Sequence, residues 1–498
     1  MEREVKLAAS PAFRLPPLDD LGDGIVASPR APERLDTTYV DTRDLRLARW
    51  GVSLRHRAGE GWTVKLPSKE EGPLLLVRGE FTFPDPGNRT PGQPPAEAVD
   101  LLHAYIRTAR LNPVTRLRTV RRGAQLHDPE GHLLADVVDD EVSVLSGRRI
   151  AARFRELEVE ITDEIPKGLL ETVVGRLRIG GAGEPDPTPK YVRAVGPVAT
   201  LPAEVVVEKL SSHPTAGEVL RRAIADSVVR LVRHDAVIRL DADPEGVHQA
   251  RVATRRLRSH LRTFGQLFDP ELASPLRDEL GWLGAALGRV RDLDVLLERL
   301  RNDVGRLPEQ ELDAAAPVLD ALRKTRETAH RALLRKLRSD RYSSLLERLV
   351  GTAADPGLTP EAELPASATL PMVHDAWIAL RKQVRSASRP PTPEQLHGIR
   401  IRAKRARYAA EAVLPFVGKP GRVYVHAVAA LQSDLGEHND AVIAVRWLRK
   451  WASVERGSAE AFVAGELVGM ESAEAEAASD RWRSAWKDVS AKSARGWM

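Results

Sequence analysis

The segment His248-Gln249-Ala250-Arg251-Val252-Ala253-Thr254-Arg255-Arg256-Leu257-Arg258 returns 149 residues later as His397-Gly398-Ile399-Arg400-Ile401-Arg402-Ala403-Lys404-Arg405-Ala406-Arg407. A second pair keeps nearly that spacing. Gly288-Arg289-Val290-Arg291-Asp292-Leu293-Asp294-Val295 is echoed by Gly436-Glu437-His438-Asn439-Asp440-Ala441-Val442, with Asp292 and Asp440 148 residues apart. Two motifs held at one separation indicate a duplicated unit. From about Thr215 the chain is rich in Ala, Leu, Arg and Glu with few strand signals, so the duplicated unit is helical. The sequence predicts two related bundles facing each other, over about 215–350 and 371–498, split by a Pro-rich break from Asp355 to Pro371.

The first 200 residues read differently. Short alternating segments are separated by Pro/Gly punctuation such as Pro84-Asp85-Pro86-Gly87 and Pro91-Gly92, which marks β structure. One helix is expected over Ala96 to Arg110, where Val99, Leu102, Ile106 and Ala109 recur at helical spacing. Gly196 to Pro214 is the expected linker, with Val205 to Val207 as a candidate extra strand. The fold class is therefore α+β multidomain: an antiparallel β-barrel over 1–200, followed by an all-α domain over 211–498.

With no cysteine, disulfides, thiol nucleophiles and thiolate metal sites are excluded, which leaves carboxylates or histidines as metal ligands and suits a reducing cytoplasm. The N-terminus shows no apolar signal core, and no stretch approaches the roughly 20 apolar residues of a membrane span, so no membrane association is expected. The net charge of +5 averages 75 Lys and Arg against 70 Asp and Glu. Function therefore depends on where those charges gather.

In a strand, residues two apart share a face. Glu2, Glu4 and Lys6 then lie together, as do Arg55 and Arg57, Arg116 and Arg118, and Glu156, Glu158 and Glu160, while Lys65 sits between Val64 and Leu66. In most of these segments the intervening residues are apolar. A solvated outer face explains any one such strand; five strands repeating the device point to a closed barrel whose apolar faces pack outward and whose charges line a lumen. Acidic candidates for that lumen are Glu2, Glu4, Glu80, Asp136, Glu158 and Glu160; basic candidates are Lys6, Arg55, Arg57, Lys65, Arg116, Arg118 and Lys190. Carboxylates bind hard cations such as Mg²⁺, and Arg forks and Lys point charges bind phosphate, so a metal–triphosphate complex suits the mixture.

The opening Glu2-x-Glu4-x-Lys6 resembles the signature of the CYTH superfamily, the triphosphate tunnel metalloenzymes. Tyr39-Val40-Asp41-Thr42, Leu54 to Arg57, Lys65, Glu80, Arg116 with Arg118, Asp136, Glu156 to Ile161 and Lys190-Tyr191 resemble its remaining motifs in the family's order. The resemblance covers roughly residues 1–200 and implies an eight-stranded antiparallel tunnel that cleaves a nucleoside, thiamine or inorganic triphosphate with Mg²⁺ or Mn²⁺. Carried onto this chain, Lys6, Arg55, Arg57, Lys65, Arg116, Arg118 and Lys190 would grip the triphosphate, while Glu2, Glu4, Asp136, Glu158 and Glu160 would hold metal. Glu4, which would orient the attacking water, and Lys65 are the catalytic candidates. The sequence departs from the family in a compressed segment between Lys6 and Tyr39 and in the basic run Arg116, Arg118, Arg121, Arg122.

On a helix, His248, Arg251, Arg255, Arg258 and Arg262 form one stripe with Arg256 beside it; His397, Arg400, Lys404 and Arg407 form another, flanked by Arg405. Solvated helix faces usually mix signs at i, i+4, whereas here one sign dominates at a cost in helix stability. Two facing stripes would make a positive channel. These residues resemble the CHAD domain, over roughly 211–498, and the resemblance implies binding of inorganic polyphosphate through His248, Arg251, Arg255, Arg256, Arg258, His397, Arg400, Lys404, Arg405 and Arg407, in the cytoplasm or at polyphosphate granules. Asp292 and Asp440, read as opening helices after Gly-containing turns, either orient these cations across the repeat or cap helices. Each stripe histidine is either a phosphate donor or a buried partner of an acidic residue, and His234 and His260 read as structural. Nucleic acid is disfavoured, because the stripes carry no aromatic residue for stacking bases except Tyr408. A non-catalytic polyphosphate binder, an adenylate cyclase and a thiamine triphosphatase remain as alternatives.

Overall fold

The alternating segments become eight strands: β1 (Glu2–Ala9), β2 (Val26–Asp41), β3 (Ser53–Arg57), β4 (Gly61–Pro67), β5 (Leu76–Phe83), β6 (Asn112–His127), β7 (Leu133–Ser146) and β8 (Arg149–Ile161). The structure, a computed structural model, describes residues 2–22, 24–68, 76–85, 93–454 and 457–498, apart from the side chain of Glu2. The expected turns at Pro86-Gly87 and Pro91-Gly92 lie outside the described residues. All neighbouring strands pair antiparallel in the order β1-β5-β4-β3-β2-β6-β7-β8, and the sheet closes on itself.

The barrel is inverted in polarity, as the alternation requires. Val5 and Leu7 of β1, Leu126 of β6, Val137 of β7 and Leu157 and Val159 of β8 face outward into an apolar cluster with Leu169, Val173 and Leu177. Those last three lie on one helix, so a single amphipathic helix covers this wall. The barrel unit's helices are α1 (Arg46–Arg49), α2 (Ala96–Leu101), α3 (His103–Ile106), α4 (Leu169–Ile179), which carries that face, and α5 (Lys190–Val195). The helix expected over Ala96 to Arg110 is thus broken into two short ones, and the chain turns at Arg107 with φ 52°. One end of the lumen is closed by apolar residues: Tyr191 of α5 stacks on Tyr39 at 5.1 Å, in a cluster with Leu117 and Val142. Buried Asp41 anchors this plug, accepting hydrogen bonds from the Tyr191 hydroxyl and from the backbone N–H groups of Leu47 (2.9 Å) and Ala48 (3.0 Å).

The chain divides into two compact units, Met1–Glu204 and Val205–Met498. The segment Val205 to Val207, a candidate strand, is irregular. The second unit holds α6 (Ala216–Leu240), α7 (Glu245–Thr263), α8 (Pro270–Val304), α9 (Leu312–Leu337), α10 (Asp340–Ala354), α11 (Leu370–Arg385), α12 (Pro393–Val417), α13 (Lys419–Ala452), α14 (Ser458–Ser490) and α15 (Lys492–Arg495). The duplicated motifs fall on α7 with α8 and on α12 with α13. Side-chain caps start two of these helices: Thr392 opens α12 with a capping box to Gln395, and Asp269 opens α8 by accepting from the Glu271 N–H. In α7, Val247, Ala250, Thr254, Leu257 and Leu261 are buried at helical spacing, which turns Arg251, Arg255 and Arg258 off the core.

Asp292 and Asp440 do not open helices. They lie in the interiors of α8 and α13, and Gly288 and Gly436, read as turns, are helical as well. Both glycines lie beside the stripes: a Cβ added at Gly288 would meet the Arg251 Nε at 3.5 Å, and one at Gly436 the Arg400 Nε at 3.9 Å, ordinary contact distances.

Candidate functional site

Strand register assembles the lumen. β1 and β8 pair Glu4 with Glu160 and Lys6 with Glu158, which brings carboxylates and an ammonium group onto one wall. Oxygens of Glu4, Glu158 and Glu160 all lie within 4.8 Å of one another. Lys6 is bonded to Glu158 and lies 3.5 Å from Glu4; Lys190 reaches Glu158 at 2.7 Å and Asp140 at 2.5 Å; Arg121 forks onto Asp140 (3.0 and 2.9 Å) and touches Glu158 at 3.2 Å. The opposite wall is cationic. Arg55 on β3 and Lys65 on β4 both hold Glu80 at 3.1 Å, and Arg57 donates to the Thr37 hydroxyl at 3.1 Å. Together these walls enclose a cavity of about 150 Å³.

Protonation follows from the crowding. Burial alone would lower Lys6 and Lys190, but the surrounding carboxylates, Glu158 foremost, hold both above the ordinary lysine range. Burial alone would raise Glu158, yet Lys190, Lys6 and Arg121 hold it well below the usual carboxylate value. Deeper still, burial pushes Glu156 up, and neither of its oxygens has a hydrogen bond.

In the helical unit α7, α8, α12 and α13 enclose a cleft of about 300 Å³ lined by Arg251, Arg255, Arg400, Lys404 and Arg407. Arg251 pairs with Asp292 at 3.1 Å, and Arg400 lies 3.9 Å from Asp440. The two aspartates therefore orient cations of their own repeat and not, as expected, across the repeat. Arg255 lies over the Tyr408 ring, 5.9 Å from its centroid.

A CYTH domain model matches residues 1–181, and a CHAD domain model matches residues 222–449. The chain is a CYTH–CHAD protein. Two relatives described as uncharacterized proteins, MT2285 and Rv2226 of Mycobacterium tuberculosis strains CDC 1551 / Oshkosh and ATCC 25618 / H37Rv, are each 31% identical to it over 460 residues, which covers 84% of this chain and 83% of theirs. Among solved structures, PptA from Streptomyces chartreusis superposes with TM-score 0.47 at 26% identity, over 55% of this chain and 99% of its own. The CHAD domain from the plant Ricinus communis gives TM-score 0.48 at 26% identity, over 58% of this chain and 96% of its own.

Within the CYTH barrel, Lys6, Arg55, Arg57, Lys65, Glu80, Glu158, Glu160 and Lys190 line the lumen cavity, and buried Glu4 joins them through an oxygen within 4.8 Å of those of Glu158 and Glu160. Asp136 is cross-strand from Glu160 but is bonded to Arg30, while the side chain of Glu2 lies outside the described residues. Arg116 and Arg118 require correction. They share a parity with Arg122 on the outer face of β6; Arg116 is exposed, and Arg118 donates to Asp36 at 3.1 Å. The lumen cation of β6 is Arg121, and β5 adds Arg78, bonded to Glu4. Neither had been placed in the lumen by alternation.

Within the CHAD unit, His248, Arg251, Arg255, Arg400, Lys404 and Arg407 line the cleft. Arg256 does not. One residue on from Arg255, it turns about 100° around the helix and pairs with Glu411 at 2.8 Å and Asp226 at 3.6 Å. Arg258 is exposed beside Gly281, Arg405 donates to the Thr263 hydroxyl at 3.3 Å, and exposed His397 shares a hydrogen bond with Asn439 at 2.9 Å. None of these three lines the cleft. The cleft instead gains Arg291, signalled by the Arg-rich start of the second repeated motif, and Arg299, which lies beyond that motif on α8. His234 and His260 are buried. Among the described residues no helix is long and apolar enough to cross a membrane.

Proposed function

We propose that the CYTH lumen hydrolyses inorganic triphosphate, or a closely related triphosphate, with a divalent metal, and that the CHAD cleft binds inorganic polyphosphate. One observation carries the first half: a carboxylate wall and a cation wall face each other across a cavity sized for a few phosphates. Arg55, Arg57 and Lys65 would hold phosphate oxygens in place of their present contacts with Glu80 and Thr37, and Lys6 and Lys190, charged despite burial, would complete the grip. Glu4, Glu158 and Glu160 offer hard oxygen donors close enough for Mg²⁺ or Mn²⁺, with Asp136 and Glu2 at the adjacent register positions. Such an ion would supply charge neutralisation on the phosphoryl oxygens. Glu4, held by Arg78, would position the attacking water, and Lys65 would stabilise charge on the phosphate being transferred. A neutral-pH site in the cytoplasm, near polyphosphate stores, suits this chemistry.

The test is phosphate release from tripolyphosphate, ATP and thiamine triphosphate, with and without Mg²⁺ or Mn²⁺, by the intact protein and by Glu4→Ala. Metal-dependent release from tripolyphosphate, reduced at least about 100-fold in Glu4→Ala, is expected. No turnover of any substrate under any metal would replace this reading with a purely binding protein. Preference for thiamine triphosphate, or cyclisation of ATP, would redirect it within the same fold.

A further inference from the structure

Lys404 sits in the CHAD cleft on α12, four residues after Arg400 and three before Arg407. Facing it, α7 presents His248, Arg251 and Arg255, α8 presents Arg291, Asp292 and Arg299, and α13 presents Asp440. Several of these charges are already matched. Arg299 is held by Glu471 and Glu437, Arg407 by Glu411 at 2.7 Å, and Asp292 is taken by Arg251 at 3.1 Å. Asp440, the acidic group that acts on Lys404, is shared with Arg400 and accepts a hydrogen bond from Asn439 at 3.0 Å. The ammonium group is therefore added to a half-buried cluster of three guanidinium groups, Arg251, Arg255 and Arg400, with one carboxylate already divided.

Arginine stays charged under such crowding and lysine yields, so the cost of the cluster falls on Lys404. Burial, then repulsion from Arg255, Arg400 and Arg251, brings it down to about 6. Burial and Arg291 also lower His248 below its ordinary value, so the histidine is neutral over the same range. The lumen lysines behave oppositely because carboxylates surround them.

Resting on the reading of this cleft as a polyphosphate site, we propose that Lys404 is uncharged in the ligand-free cleft at neutral pH and takes up a proton when a phosphate chain enters, so that binding is coupled to pH. The incoming oxygens neutralise Arg251, Arg255 and Arg400, and the proton that was repelled becomes favourable. Between the value in the free cleft and the higher value in the complex, the complex holds one more proton than its separate parts. Affinity then falls as pH rises, by at most about tenfold per pH unit. The internal phosphates of a long chain do not titrate in this range, so the proton comes from solvent.

The experiment is calorimetric titration of the full chain with long-chain inorganic polyphosphate at about pH 8, in buffers of different ionisation enthalpy, with affinities measured from about pH 6.5 to 9. Uptake of about one proton per cleft is expected, with Lys404→Arg binding at near-zero uptake and His248→Gln keeping the uptake whatever its change in affinity. Tight binding by the wild type with no uptake and a flat pH profile would overturn the proposal while leaving the polyphosphate reading intact. Uptake that persists in Lys404→Arg, or disappears in His248→Gln, would overturn it as well. No binding of polyphosphate by the wild type would bring down the underlying reading, and this inference with it.

Discussion

The lumen and the cleft both gather cations, but only the lumen answers them from within. Lys6, Lys190 and Arg121 share Glu158, Asp140 and Glu4, and every one of these groups is at most 9% exposed. The cleft sets Arg251, Arg255, Arg400 and Lys404 against Asp292 and a divided Asp440, and stays part-exposed. The difference follows from the two scaffolds. A closed sheet removes its interior from water, so its charges must be paired inside the fold or left at severe cost. A groove between helices keeps water and counterions at hand and can leave its charge unmatched until a ligand arrives. On the proposed function, the lumen is thus built before its substrate, whereas the cleft would be completed by its ligand.

The largest effect that would sharpen this contrast is on folding. Glu158→Ala leaves Lys6, Lys190 and Arg121 without the anion they share, and should cost the barrel about 3–5 kcal/mol in urea unfolding, besides abolishing turnover. A loss under about 1 kcal/mol would show that the lumen pairs contribute little and that the two regions do not differ in this way. Next in size is the cleft. Arg251→Glu with Arg400→Glu should weaken binding of long-chain polyphosphate at least about 100-fold at low salt, and flatten its salt dependence, because two phosphate contacts become repulsive. Stability should change little, since relief of repulsion with Arg255 and Lys404 is offset by loss of the pairs with Asp292 and Asp440. Turnover of tripolyphosphate in the same variant should be nearly unchanged; a parallel collapse of both activities would break the division of labour.

How much of this could be read beforehand differed between the regions for the same reason. Two repeats at one spacing located the cleft, and the unmixed sign of His248 to Arg258 showed that its face was not ordinary surface. Helical phase alone, however, could not decide that Arg256 and Arg405 turn aside to Glu411 and Thr263, because that depends on which neighbouring helix each side meets. The assignment of Asp292 and Asp440 to helix starts failed because glycine usually punctuates, whereas Gly288 and Gly436 lie inside long helices. In the barrel, alternation placed Glu4, Lys6, Arg55, Lys65 and Glu158 together, since the rule that charge faces inward holds along most of the lumen. It fails at the closed end. There Tyr39, Leu117 and Val142 fill the interior with apolar groups, so neighbouring Arg116 and Arg118 are turned outward.

The smallest expected effect tests that reversal directly. Arg118 lies outside, its side chain 39% exposed and paired with a still more exposed Asp36, so Arg118→Ala should change stability by no more than about 0.5 kcal/mol and leave tripolyphosphate turnover within about twofold. Arg121→Ala, three positions on and of opposite parity, removes both bonds to Asp140 and the contact with Glu158, and should impair folding and turnover together. Matched unfolding curves and rate measurements on the two variants decide the parity of β6. If Arg118→Ala lost activity while Arg121→Ala kept it, the register of β6 against β2 would be wrong, and the pairing that makes the lumen self-compensating would be wrong with it.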